Sequence, residues 1–125
     1  MAKWPYVIVG IAALAGAAGI AEAAASAHAV GDSLLKTSSD FLIVNAAAVI
    51  AISAFAQASN GRGLFVLAAG VLLLGTLLFG GELTTHVFLT HRSLPLIAPL
   101  GGSLTILGWL IAAAASFAGA REKNR

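Results

Sequence analysis

Polar residues divide the chain into four apolar stretches. The first is Tyr6–Ala29, interrupted by Glu22 and Ser26. The second is Phe41–Ala58, with Asn45 and Ser53 inside it. The third is Leu64–Gly81, continuing as an amphipathic stretch to Leu89, and the fourth is Leu96–Ala120. Each is roughly 18–25 residues long, and a helix needs about 20 to cross the hydrocarbon of a bilayer. Backbone groups find no water there, so a span must be a helix or part of a closed barrel. Strict apolar alternation is absent and Ala and Leu dominate, which predicts four helices over 6–29, 41–58, 64–89 and 96–120.

The separators fit this division. Gly31-Asp32-Ser33 and Lys36-Thr37-Ser38-Ser39-Asp40 are expected to form a first polar loop, with Ser39 or Asp40 as the N-cap of the second helix. Ser59-Asn60-Gly61-Arg62-Gly63 reads as a tight turn and His91-Arg92-Ser93-Leu94-Pro95 as a third connection. Pro95 suits the entry to the fourth helix, and Pro99 lies in its first turns, where a kink is expected. The first stretch also has features of a secretory signal, with Lys3 ahead of it and a small-x-small Ala25-Ser26-Ala27 at its end. It is read here as a retained span.

Composition strengthens the membrane assignment. The 125 residues suffice for one domain, 1–125, and are 59% apolar and 10% charged. Soluble domains have about 45–50% and about 25%. With no Cys, disulfides and thiolate-ligated metals are excluded. The net charge of +2 is carried by the ends and turns, which argues for membrane orientation and against nucleic-acid binding. With four spans, Lys3, Arg62, Arg121, Lys123 and Arg125 fall on one side and Lys36 and Arg92 on the other. The positive-inside rule then places both termini in the cytoplasm.

Small residues are dense, which suits close helix packing where lipid supplies no hydrophobic drive. Gly80, Gly81, Gly101, Gly102 and Gly108 are expected at helix contacts, with Trp109 packing near mid-membrane and its indole N–H seeking a partner. The predicted fold is an all-α membrane protein, a compact four-transmembrane-helix bundle.

The remaining chemistry is polar and shallow. Glu22 lies roughly 24 Å along the first helix and Glu82 roughly 27 Å along the third, both at the non-cytoplasmic end. Asn45 is expected roughly 6–8 Å inside the same surface, so Glu22, Asn45 and Glu82 are read as one layer. His28, His86 and Arg92 stand nearer the water and complete the set of partner-contact candidates. Glu82 and His86 are four apart and share a helix face, but two ligands do not make a metal centre. No nucleophile–base set and no phosphate loop stands out, so neither catalysis, cofactor nor metal is expected.

Several segments resemble the bacterial membrane family known as domain of unknown function 423. They are Phe79-Gly80-Gly81-Glu82-Leu83, Pro99-Leu100-Gly101-Gly102 followed by Gly108-Trp109, and Ala27-His28. The resemblance spans nearly the whole chain and is most specific in its second half. It departs at Ala24-Ala25-Ser26, where the family has glycines, at Asn45, where it tends to have His, and at Thr84, where it tends to have Tyr. It implies a four-helix protein of the bacterial inner membrane and supplies no activity. The expectation is therefore an accessory or scaffold subunit, partnered by lipid and other membrane subunits and open to homo-oligomerisation. The alternative is a small proton-coupled transporter of the four-helix dimeric type. Glu22 sits in the outer part of the first helix, and an alternating-access site belongs near the midplane.

Overall fold

The computed structural model describes residues 3–30, 33–59, 62–89 and 97–123. They form α1 (Trp4–Ala25), extended by a π-helical turn over Ser26–Val30, then α2 (Ser33–Ala58), α3 (Arg62–Leu89) and α4 (Ile97–Lys123). All four are long and apolar enough to cross a membrane. Of the expected tight turn, Arg62 and Gly63 already belong to α3; Asn60 and Gly61, the expected connection His91–Pro95 with Arg92, and the terminal Asn124 and Arg125 lie outside the described residues.

The main departure from the sequence reading is the start of α2. The segment Lys36–Asp40, expected as a loop, is helical. Ser39 and Asp40 are therefore interior to α2 and cap nothing. The reason lies in the spacing of the buried positions: Leu35, Ser38, Ser39, Leu42, Asn45, Ala46, Val49, Ser53 and Ala56. They recur every three or four residues, so one stripe runs unbroken from the polar segment into the apolar one. On the opposite face Lys36 Nζ pairs with Asp40 Oδ2 at 3.0 Å, one turn apart and well exposed. The 26 residues of α2 rise about 39 Å, more than the hydrocarbon thickness, which leaves that charged turn at headgroup level.

Consecutive helices pair: α1 with α2, α2 with α3, and α3 with α4; α1 touches α3 only lightly. The two middle helices form the spine and α1 and α4 the flanks. The largest buried cluster joins Ala12 of α1, Val49 of α2, and Ala69, Leu72 and Leu73 of α3. A second, formed by Ala56, Phe65 and Ala115 with Trp4 against it, ties the other end. Phe41 stacks on Phe79 with ring centres 4.2 Å apart.

Glycine sets the α3–α4 distance. A Cβ on Gly101 would lie 2.5 Å from the Phe79 nitrogen, one on Gly75 would lie 2.5 Å from the Thr105 nitrogen, and one on Gly108 would lie 2.8 Å from the Leu72 Cα. These contacts step up α4 as they step down α3 by equal intervals, as two antiparallel helices in constant register must. Gly80 faces α2, where its Cβ would strike Leu42 Cδ2 at 2.5 Å. Two expected contact glycines behave differently. Gly81 is exposed with nothing within 4 Å of its Cβ direction, and Gly102 meets only Phe79 Cδ2 at an ordinary 3.8 Å. Adjacent helical residues point about 100° apart, so only one member of each glycine pair can face the neighbouring backbone. Pro99, the third residue of α4, sits where a backbone N–H has no intrahelical acceptor in any case.

Replacing Gly101 by Ala is expected to destabilise the protein by about 1–3 kcal/mol through overpacking against Phe79. Gly81→Ala should be neutral or stabilising by up to about 1 kcal/mol, since Ala is the better helix former. Thermal unfolding in detergent checks the pair, and equal melting of Gly101→Ala and wild type would contradict the seam.

Candidate functional site

The polar side chains of the spans meet at two levels. The outer one is built on the stripe of α2. Ser39 Oγ donates to the Gly19 carbonyl of α1 at 2.8 Å, and Ser38 Oγ donates to the Gly80 carbonyl of α3 at 3.3 Å. Both serines are fully buried. Ser38 Oγ also lies 3.2 Å from Thr84 Oγ1. The Thr84 hydroxyl is 2.7 Å from the Gly80 carbonyl one turn back on α3 and 3.1 Å from Glu22 Oε2 of α1. Three helices thus converge on one carboxylate. Glu22 is only 8% exposed, and its second oxygen, Oε1, is buried with no donor among the described residues.

The inner level joins α2 to α4. Trp109 Nε1 donates to Asn45 Oδ1 at 3.0 Å, and Asn45 Nδ2 donates to its own-helix Phe41 carbonyl at 2.9 Å. Every strong polar atom of this pair is thereby satisfied at a depth where an orphan amide would be costly. The indole N–H finds the partner its chemistry requires, although the rest of the Trp109 ring is half exposed.

The expected single layer is therefore divided. Asn45 lies seven residues beyond Ser38 along α2, about 10 Å deeper than the carboxylate cluster, and serves Trp109. Earlier initiation of α2 moves its whole numbering relative to the surface. Glu82 also stands apart from Glu22. Gly75 and Phe79 of α3 meet α4, and Glu82 follows on that same helical face, whereas Thr84 turns to α1 and α2. Glu82 is half-buried, with its Oε1 enclosed and no donor to it among the described residues. His86, one turn on, is also half-buried; His28 is exposed in the π-helical turn. Arg92 lies outside the described residues. Ser53 Oγ, buried on the α2 stripe, is likewise without a partner among them.

Ser38, Ser39 and Thr84 were the residues a sequence reading missed. The serines looked like loop residues and Thr84 like a departure from a motif. Their three- and four-residue spacing from Leu35 and Leu42, and of Thr84 from Gly80, was the available signal.

Around Glu22 the outer level offers one carboxylate, the hydroxyls of Ser38 and Thr84 and the Gly80 carbonyl, all hard oxygen donors. Among the described residues no group of three His, Cys, Asp or Glu side chains is placed to hold a metal ion. At the opposite end, an open groove of about 580 Å³ is lined by Phe55, Phe65, Ala115, Ser116 and Gly119 together with the charged Glu122 and Lys123.

A family model described as a protein of unknown function (DUF423) matches residues 8–102. The match covers both polar levels except Trp109. No curated protein and no solved structure matches the chain.

Proposed function

We propose, for a chain that belongs to the DUF423 family of proteins of unknown function, a role played by contact. It is an accessory or scaffold subunit of a larger complex in the bacterial inner membrane, with both termini cytoplasmic and no catalysis of its own. One observation carries this reading: the hydroxyls of Ser38, Ser39 and Thr84 and the indole of Trp109 are spent on the protein's own helices, while the flanks stay apolar and open. Ser39, Ser38, Thr84 and Trp109 all bond within the fold. Outward on α1 stand Tyr6, Leu14 and Ile20, and on α4 Ile106, Leu110 and Phe117, each more than 60% exposed. Lipid can cover such faces, and so can the helices of another subunit. The basic turn Arg121–Lys123 at the end of α4 adds attraction to anionic headgroups or an acidic partner, and complements the helix dipole.

A second reading, a small proton-coupled transporter working as a dimer, is favoured by one feature, the buried carboxylate Glu22 within a spanning helix. Reconstitution of the purified protein alone in liposomes separates the two. The subunit reading expects no coupled uptake, together with loss of a specific membrane complex when the protein is deleted. Proton-driven uptake abolished by Glu22→Gln would promote the transporter instead. For orientation, Lys36→Cys, at an exposed position, should react with an impermeant thiol reagent added outside the cell. Lys123→Cys should react only after permeabilisation, and the reverse order would invert the topology.

A further inference from the structure

The cluster around Glu22 contains more close oxygen pairs than it has hydrogens. Four contacts hold it together: Ser38 Oγ to the Gly80 carbonyl at 3.3 Å, Ser38 Oγ to Thr84 Oγ1 at 3.2 Å, Thr84 Oγ1 to the Gly80 carbonyl at 2.7 Å, and Thr84 Oγ1 to Glu22 Oε2 at 3.1 Å. The two hydroxyls bring one hydrogen each, and the carbonyl and the carboxylate bring none. With Glu22 ionised, two of the four pairs have at most a shared hydrogen between them. A positive centre among these oxygens removes that conflict, because lone pairs that repel each other can share a cation.

The charge balance points the same way. Glu22 is more than nine-tenths buried, and its Oε1 has no donor among the described residues. No cationic side chain among those residues forms an ion pair with it. Lys36 is engaged with Asp40 on the exposed face of α2. Of the titratable groups on α3, Glu82 follows the face toward α4, and His86 lies one turn beyond it. On α1, His28 is exposed six residues further along. A buried carboxyl in lipid needs a counter-charge within reach or a bound proton.

We propose that Glu22, Thr84, Ser38 and the Gly80 carbonyl form a binding site for one sodium ion, for which protons compete at the Glu22 carboxylate. One carboxylate neutralises one monovalent ion, while a divalent ion would leave net charge in a low-dielectric site. The donors are all oxygen, the preference of hard ions. The contacting oxygens lie 2.7–3.3 Å from one another, a close set that favours the smaller sodium ion over potassium. Occupancy links α1, α2 and α3 through one centre. The site does not depend on the accessory-subunit reading and stands or falls separately from it.

The test uses the full-length protein in detergent or liposomes. Sodium chloride should raise the melting midpoint above that in equal potassium chloride, because an ion that binds only the folded state stabilises it. Sodium should also slow the reaction of Glu22 with a hydrophobic carbodiimide, followed by mass spectrometry, because the reagent attacks the protonated carboxyl. Glu22→Gln, nearly isosteric, should abolish both effects. Thr84→Val keeps the shape and removes one ligand, so about tenfold more sodium should be needed for the same protection, equivalent to about 1.4 kcal/mol. Equal melting in sodium and potassium overturns the proposal whatever the variants do, and so does a sodium effect that survives Glu22→Gln.

Discussion

A polar group inside a bilayer has no water to turn to, and this constraint shapes the whole molecule. α3 and α4 answer it in part locally. Thr76, Thr105 and Ser116 return their hydroxyls to carbonyls one turn back on their own helices. α2 answers it across helices instead. Ser39 reaches α1, Ser38 reaches α3, and Asn45 takes the indole of α4. Each is a bond between segments whose apolar surfaces alone would pack no better on one another than on lipid. Interhelical hydrogen bonds in membranes average well under 2 kcal/mol each, so their contribution is as much to register as to stability. A helix that slid by one residue would leave these groups facing hydrocarbon.

Close packing then follows from register. With α3 and α4 antiparallel, Gly75, Gly101 and Gly108 come opposite Thr105, Phe79 and Leu72, and the absence of Cβ atoms lets the backbones approach. Thr105 is doubly employed, bonding the Gly101 carbonyl at 2.8 Å while filling the space beside Gly75. The flanking helices take less part. α1 and α4 bury small shares of their spans, and α3 buries the most. Their outward faces are the part of the molecule left for lipid or for other chains.

Number and type of elements were legible in the sequence because hydropathy over a span-length window is a strong signal, and the Leu64–Gly81 stretch carries it without interruption. Azimuth was less legible. Depth along a helix can be counted from sequence, but the face a residue presents depends on where the helix begins and on which neighbour it meets. That is why Gly81 and Gly102 were grouped with Gly80 and Gly101, and why Glu22, Asn45 and Glu82 read as one layer. The start of α2 was obscured because Lys36-Thr37-Ser38-Ser39-Asp40 is polar by composition. Its polarity has two unrelated causes, an exposed ion pair on one side and hydroxyls bonded to neighbouring helices on the other. Asn45 and Thr84, which the sequence reading expected to depart from the motifs, are the residues that link helices at the two levels.

The central claim is that α2 continues as a packed helix through its polar beginning and holds α3 there. A cross-link addresses it without background, because the chain has no cysteine. The hydroxyls of Ser38 and Thr84 lie 3.2 Å apart, so side chains at these positions are near enough for a disulfide after small adjustment. Ser38→Cys combined with Thr84→Cys should cross-link rapidly within one chain under mild oxidation in native membranes. Lys36→Cys combined with Thr84→Cys should not, because position 36 lies on the exposed face. Cross-linking of both pairs at the same rate, or of neither, would mean that the segment is a mobile loop and contradict the account.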